Sequence, residues 1–554
     1  MKQIDIIKTY AQKRCLVVDE LPDARAMLKR ILVDFGAQDT DTAGNVVDAI
    51  ELCQRRQYDI VIAEYNLGSG KNGQQLLEEL RFHNYLRNSA LFIMITSENA
   101  SHEVLHALEY EPDDFLQKPI NRESLRPRLD QALLKNEYLR DVKEALDKQK
   151  IGRAIAAAVA LLEKPNRFQI DARKILAELY LKNKQPDEAE STYAQLDPEK
   201  MPLWANLGLA NVEYQRKQFD AAEKRLNAII REHPNCVDAH DLLARVFEAT
   251  HRPAQSQNAL MNAVKVSPRS APRQRELGRV SLDIGDQNAS VHAFRSAIRH
   301  SKNSCHEAAD DYVNLAEGLV RLAKKGKGSP NKSLINEAKE HLASASKKYG
   351  KHPIIQMRGK LIEADMCLAT NNQASADESL KAAIELHANM QYSVIGNSSI
   401  QLCIECAKSF MTHGRYDEGE AILQELTRLN NDPEYAIKID KLLRDPKTKE
   451  GIEYAAKLNK KGIELYQKQN VEGALMSFIE VHRELPNHVG LNLNLMQALI
   501  SKSKDRKLDN NEQKMLTSCF QRIGKIEEDG PHKKRYDYLE KRYKRLIQGN
   551  QTTE

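Results

Sequence analysis

A chain of 554 residues is too long for a single hydrophobic core and implies about three or four domain-sized units. Its 83 basic and 78 acidic residues nearly cancel, leaving a formal net charge of +5, which gives no support to wholesale binding of nucleic acid or a membrane surface. The eight cysteines are scattered and read as reduced, mostly buried thiols. The opening "MKQIDIIKTYAQKR" alternates charges without the apolar core of a secretion signal, and no later segment approaches the roughly 18 to 20 apolar residues of a membrane span. A soluble cytoplasmic protein is the expectation.

Over the first 135 residues, strand-like and helix-like runs alternate. "RCLVVDE", "YDIVIAEYN", "ALFIMITSEN" and "DDFLQKP" are short and apolar, as strands buried on both faces require. Between the first two lies "DARAMLKRILVDFG", with Met27, Leu28, Ile31, Leu32 and Phe35 on one helical face and Gly36 as its stop. This alternation predicts a parallel sheet covered by helices on both sides. In such sheets functional side chains collect at the carboxyl ends of the strands. Those ends carry Asp19 and Glu20, then Glu64, then Thr96 with Ser97, and finally Lys118 followed by Pro119.

In this order and spacing, the four positions resemble the motifs of the response-regulator receiver domain of bacterial two-component signalling. The likeness covers about residues 13–135. It implies a flavodoxin-like fold, α/β and doubly wound around a five-stranded parallel sheet. It also implies that Glu20, the carboxylate of Glu64 and the Asn66 carbonyl would hold Mg²⁺, with Asp19 close by. Thr96 and Lys118 would contact a phosphoryl group, Phe115 stands where the family keeps its switching aromatic, and the Lys118–Pro119 bond would be cis. The family's docking face falls at about Ala100 to Leu134, and a homodimer through that face is compatible with the resemblance.

At one position the chain departs from the family: Glu64 replaces the phospho-accepting aspartate. In-line transfer requires a carboxylate fixed relative to the metal and the lysine. One extra methylene moves it by more than about 1 Å, enough to cost roughly a hundredfold. Efficient phosphorylation is therefore not expected, and Mg²⁺ would be held at low occupancy. Two readings follow. Glu64 places a fixed negative charge near Lys118 and biases the switch, or it marks a degenerate receiver kept as a docking module. A receiver that still accepts phosphate is the rival. The glycines of "NLGSGKNG" also lengthen and loosen the following loop.

From Asn121 to Lys150 there is no glycine, and Leu125, Leu129, Ala132, Leu133, Tyr138, Val142 and Leu146 keep a helical period. This predicts a stiff helical joint, in which Pro127 is tolerable if it falls in the first turn; the alternative is two abutting helices with a kink near Lys135. Beyond it, strand signals vanish and the sequence repeats. Leu226 recurs as Leu260 and Pro234 as Pro268, both at the 34-residue interval of the tetratricopeptide repeat (TPR). Gly208, Gly278 and Gly462 hold the small-residue positions, and weaker copies run in both directions. The resemblance to TPR proteins implies an all-α superhelical solenoid of about nine or ten helix pairs.

The expected division is 1–135 for the receiver, with a short N-terminal helix at 1–12; 136–150 for the joint; 151–445 for a first lobe; and 446–554 for a C-terminal lobe with a basic capping helix. The turn at Asp445–Pro446 separates the lobes. Cys403 and Cys406 form a CxxC pair, but it falls at helix-packing positions with no second pair, so a structural role is the simpler reading. "KKRYDYLEKRYKRLIQ" mixes basic and aromatic residues, yet its tyrosines follow helical spacing and serve better to seal the last repeat than to stack on bases. No catalytic motif is visible outside the receiver. The sequence thus predicts a non-enzymatic signalling adaptor that binds a protein partner in a TPR groove.

Overall fold

The computed structural model describes residues 6–68, 70–96, 112–325, 331–390, 400–429, 433–443, 448–484, 489–503, 506, 508–523 and 533–551. The chain divides into two compact units, Met1–Leu342 and Ala343–Glu554. The lobe boundary expected at Asp445–Pro446 lies outside the described residues.

The first unit opens with α1 (Ile6–Ala11), β1 (Arg14–Val18), α2 (Pro22–Phe35), β2 (Asp39–Ala43), α3 (Val46–Arg55), β3 (Ile60–Glu64), α4 (Gly73–Phe82), β4 (Leu91–Thr96) and β5 (Asp114–Gln117). The strands form one parallel sheet in the order β2-β1-β3-β4-β5. Because side chains alternate along a strand, each apolar run feeds two cores. Val17, Ile62 and Ile93 pack with Leu28, Leu32 and Phe35 on one face. Val61, Ala63, Phe92 and Met94 pack with Leu76, Leu77 and Leu80 on the other. Glu64 ends the central strand, whose residues are all buried.

The edge strand β2, "DTDTA", had no apolar signature. Its Asp39 and Asp41 are held by Arg56 at 2.6 and 2.8 Å, and Tyr58 Oη donates to Asp41 at 2.6 Å. Charged side chains of this kind suit an edge.

The joint begins as α5 (Arg122–Tyr138), with Pro127 inside the helix and beyond its first turn. It continues as α6 (Arg140–Asp147). The break falls at Leu139 (φ −90°, ψ 5°), not near Lys135. Hydrogen bonds from Leu139 N to Lys135 O and from Lys143 N to Leu139 O, each 3.0 Å, carry the ladder across it. Asn136 Nδ2 donates to Ser89 O at 2.6 Å, and Asp147 accepts from Asn88 N at 2.5 Å and Ser89 Oγ at 2.7 Å. On its other side the joint packs into the array, where Val142 and Ala145 share a core with Ala154, Ala158 and Leu176.

Paired helices follow: Leu203–Gln215 with Phe219–Glu232, Val237–Ala249 with Pro253–Val266, and Ala271–Asp283 with Gln287–Ser301. At Gly278 an added Cβ would lie 2.9 Å from two carbons of the Phe294 ring, so the small residue is what lets the paired helices approach. In the second unit the ring of Phe478 lies against Gly462 in the same way. Cys403 and Cys406 are fully buried one turn apart in Ile400–Thr412. In the last helix, Lys533–Gln551, Leu539 is buried and Tyr543 lies with its ring 4.4 Å from that of Phe520, whereas Tyr538 is exposed. Among the described residues, no helix is long and apolar enough to cross a membrane.

Candidate functional site

β3 places Glu64 at the sheet's carboxyl end by continuing its pairing one residue further, with Tyr65 N donating to Ile95 O at 2.7 Å. The loop then closes tightly, Gly73 N donating to Tyr65 O at 2.7 Å. A Cβ at Gly73 would collide with the Glu64 backbone, so glycine is what lets α4 start directly over the strand end. Asn72 caps α4 reciprocally with Gln75.

Glu64 is 4% exposed, Asp19 1% and Thr96 2%. Lys118, delivered by the end of β5, reaches across to two of them. Its Nζ forms an ion pair with Glu64 Oε2 and another with Asp19 Oδ2 at 3.0 Å. Asp19 Oδ1 accepts from Leu21 N at 2.9 Å, and Arg25 Nη1 donates to the carbonyls of Asp19 and Glu20 at 2.6 and 3.0 Å. The second oxygen of Glu64 faces Asn66 N at 3.4 Å. Phe115 is half-buried against the core, and the Lys118–Pro119 bond is cis.

Burial raises the Glu64 carboxyl above its ordinary range and outweighs the opposing pull of Lys118. Lys118 also sits above its ordinary value: burial disfavours its charge, but the Glu64 and Asp19 carboxylates more than offset this. The pair is an ammonium wedged between two buried carboxylates.

The donors suit Mg²⁺ in kind, all being oxygens, but not in their arrangement. Among the described residues, Asp19, Glu20 and Glu64 do not bring three ligand oxygens within 4.8 Å of one another. Lys118 bridges Asp19 and Glu64, and Glu20 is exposed with its Oε2 against Gly68. Ser97 and the first part of the expected docking face, 100–111, lie outside the described residues.

A second cluster was not legible in the sequence. The carboxylate of Glu78 on α4 meets Cys305 and His306 from the loop after Gln287–Ser301. A glutamate more than two hundred positions from an adjacent cysteine and histidine carries no local pattern.

The model of the response regulator receiver domain matches residues 15–130, and a tetratricopeptide repeat model matches residues 197–246. The N-terminal region is a receiver domain, and tetratricopeptide repeats follow it. The chain is 26% identical over 117 residues to chemotaxis protein CheY-3 of Vibrio cholerae, an alignment covering 21% of this chain and 88% of that protein. It is 29% identical over 125 residues to chemotaxis protein CheY1 of Helicobacter pylori, covering 22% and 99%. Among solved structures, MamA is similar over 32% of this chain and 95% of its own, at 17% identity and a TM-score of 0.27.

Proposed function

We propose that this protein is a signalling adaptor whose receiver is biased by Glu64 in place of phosphorylation and whose TPR array binds a protein partner. The observation that carries the reading is the buried ion pair of Glu64 with Lys118, buttressed by Asp19. In the receiver mechanism that lysine meets a phosphoryl oxygen; here a covalently fixed carboxylate already holds it. Unit charges about 4 Å apart attract by roughly 4 kcal/mol gross at an effective dielectric near 20, before desolvation. That is enough to shift a two-state equilibrium separated by a few kcal/mol. The mimic is partial, since a phosphoryl group carries nearly two charges and three acceptor oxygens.

Phosphoryl transfer onto this chain is disfavoured on two counts. The carboxylate is one methylene too long, and the lysine that would stabilise the incoming group is engaged. Magnesium binds weakly for the same reason: its carboxylates already share an ammonium. The partner-binding role rests on the repeats, whose stacked helix pairs present a continuous groove. The expected boundaries at 1–135, 136–150, 151–445 and 446–554 are kept as the working division of these roles.

The test is incubation of the full chain with a small-molecule phosphodonor and Mg²⁺, read by intact mass. The natural chain should show no adduct, whereas Glu64→Asp, which restores the shorter carboxylate, should gain one labile phosphoryl group. A stoichiometric adduct on the natural chain would overturn the reading. Affinity capture with the natural chain and Glu64→Ala completes it: identical partner recovery would leave Glu64 without a switching role.

A further inference from the structure

Helix α4 of the receiver and the loop between helices Gln287–Ser301 and Ala309–Lys324 bring together one carboxylate, one thiol and one imidazole. A ligand atom from each of Glu78, Cys305 and His306 lies within 4.8 Å of the others. His306 Nε2 is 3.2 Å from Glu78 Oε2, yet this buried nitrogen has no aligned hydrogen-bond partner. An imidazole nitrogen and a carboxylate oxygen at that spacing match two ligands of one tetrahedral metal. Bonds of about 2.0–2.3 Å set ligand atoms about 3.3–3.7 Å apart, so the trio needs to close by only about 1 Å.

We propose that Glu78, Cys305 and His306 form a Zn²⁺ site that clamps α4 of the receiver to the TPR array. One sulfur, one nitrogen and one oxygen donor suit Zn²⁺ rather than Mg²⁺ or Ca²⁺, which take oxygen. The ligands are also held in place by their surroundings, as metal sites require. Gln74 Nε2 donates to Glu78 Oε1 at 2.7 Å, leaving Oε2 toward His306. Cys305 N donates to Glu79 Oε1 at 2.6 Å, and that carboxylate is anchored by Lys71 at 2.9 Å. Arg275 donates to His306 O at 2.7 Å while paired with the fully buried Asp311. Glu78 and His306 also line a cleft of about 1270 Å³.

Without a metal, the same groups have a competing arrangement. His306 Nε2 then faces Glu78 Oε2 at 3.2 Å and links the loop to α4. Zinc binds the thiolate and the neutral imidazole, so its uptake strengthens as pH rises.

The experiment uses the full chain, stripped with a chelator and titrated with Zn²⁺ against a chromophoric competitor, with Co²⁺ as a spectroscopic substitute. One Zn²⁺ per chain is expected, and the Co²⁺ form should show a thiolate-to-metal charge-transfer band with tetrahedral ligand-field absorption. Cys305→Ser and His306→Ala should each lower affinity at least tenfold and Cys305→Ser should remove the thiolate band, whereas Cys236→Ser should change neither. No Zn²⁺ uptake, a Co²⁺ spectrum without the thiolate band, or equal uptake by Cys305→Ser would each overturn the site. The Co²⁺ spectrum of the natural chain decides the matter even if a variant fails to fold.

Discussion

On the proposed reading Glu64 is one methylene longer than a phospho-accepting aspartate, and the consequence runs through Lys118. The ammonium is shared by Glu64 and Asp19, each almost fully buried. Removing it strands two carboxylates in a poorly hydrated pocket. Breaking a buried pair costs about 3–5 kcal/mol; with the Lys118 side chain 27% exposed, Lys118→Met should cost about 2–3 kcal/mol at neutral pH. Burial already raises Glu64, and losing the lysine raises it further. The native state then holds a proton more tightly than the unfolded chain, so stability rises as pH falls through the folded value. The deficit of the variant should therefore shrink under mildly acid conditions, as denaturant titrations at the two pH values would show; a constant deficit would mean that Lys118 matters only for packing. Glu64, Asp19 and Lys118 could be picked from the sequence because a parallel sheet delivers its strand ends to one edge. The sharing of Lys118 between two carboxylates could not, since it depends on side-chain reach across the sheet.

At the scale of elements, the repeat interval was readable from Leu226 and Leu260 because packing positions keep their residue type. The turns were not, because their constraint lies in the backbone. Lys184, Lys217, His251 and Gly285 take φ of 57°, 60°, 57° and 80°, each where one helix hands over to its partner. Only the last has the residue that favours this conformation, so the recurring turn is hidden behind unlike side chains. A non-glycine residue in the left-handed region costs about 1 kcal/mol, against which glycine loses more chain entropy on folding. Lys217 is exposed, so Lys217→Gly should raise stability by about 0.5–1 kcal/mol, read as a later denaturation midpoint at unchanged slope, while Lys217→Ala should not. Strand β2 escaped the sequence reading for a related reason. An edge strand with two aspartates on arginine and tyrosine has no need of the apolar run that marks a central one.

At the scale of the first compact unit, the receiver is tied to its array by more than chain continuity. The joint α5–α6 runs along the receiver and is fixed there by Asn136, Lys143 and Asp147. Lys143 pairs with Asp113 at 3.5 Å with both side chains largely buried, and burial lowers Lys143 despite that partner. Asp147 takes three hydrogen bonds of 2.5–3.0 Å from Asn88 and Ser89, the turn that feeds β4. Since β4 ends at Thr96 beside the Glu64 pocket, this turn lies at one end of a strand whose other end belongs to the candidate switch. The last residue of α6 thus holds the turn that leads into this strand. Hydrogen bonds to a charged group contribute about 1.5–3 kcal/mol each when removal leaves partners unmet, less here because the site is partly exposed. Asp147→Ala should therefore raise local opening of the Leu86–Phe92 segment by about 1.4 kcal/mol, a tenfold faster amide exchange. Exchange in the helix Val237–Ala249 should stay as it was. Equal acceleration in both would mean that the substitution weakens the whole unit, and the joint would then be a structural support without a separate role in coupling.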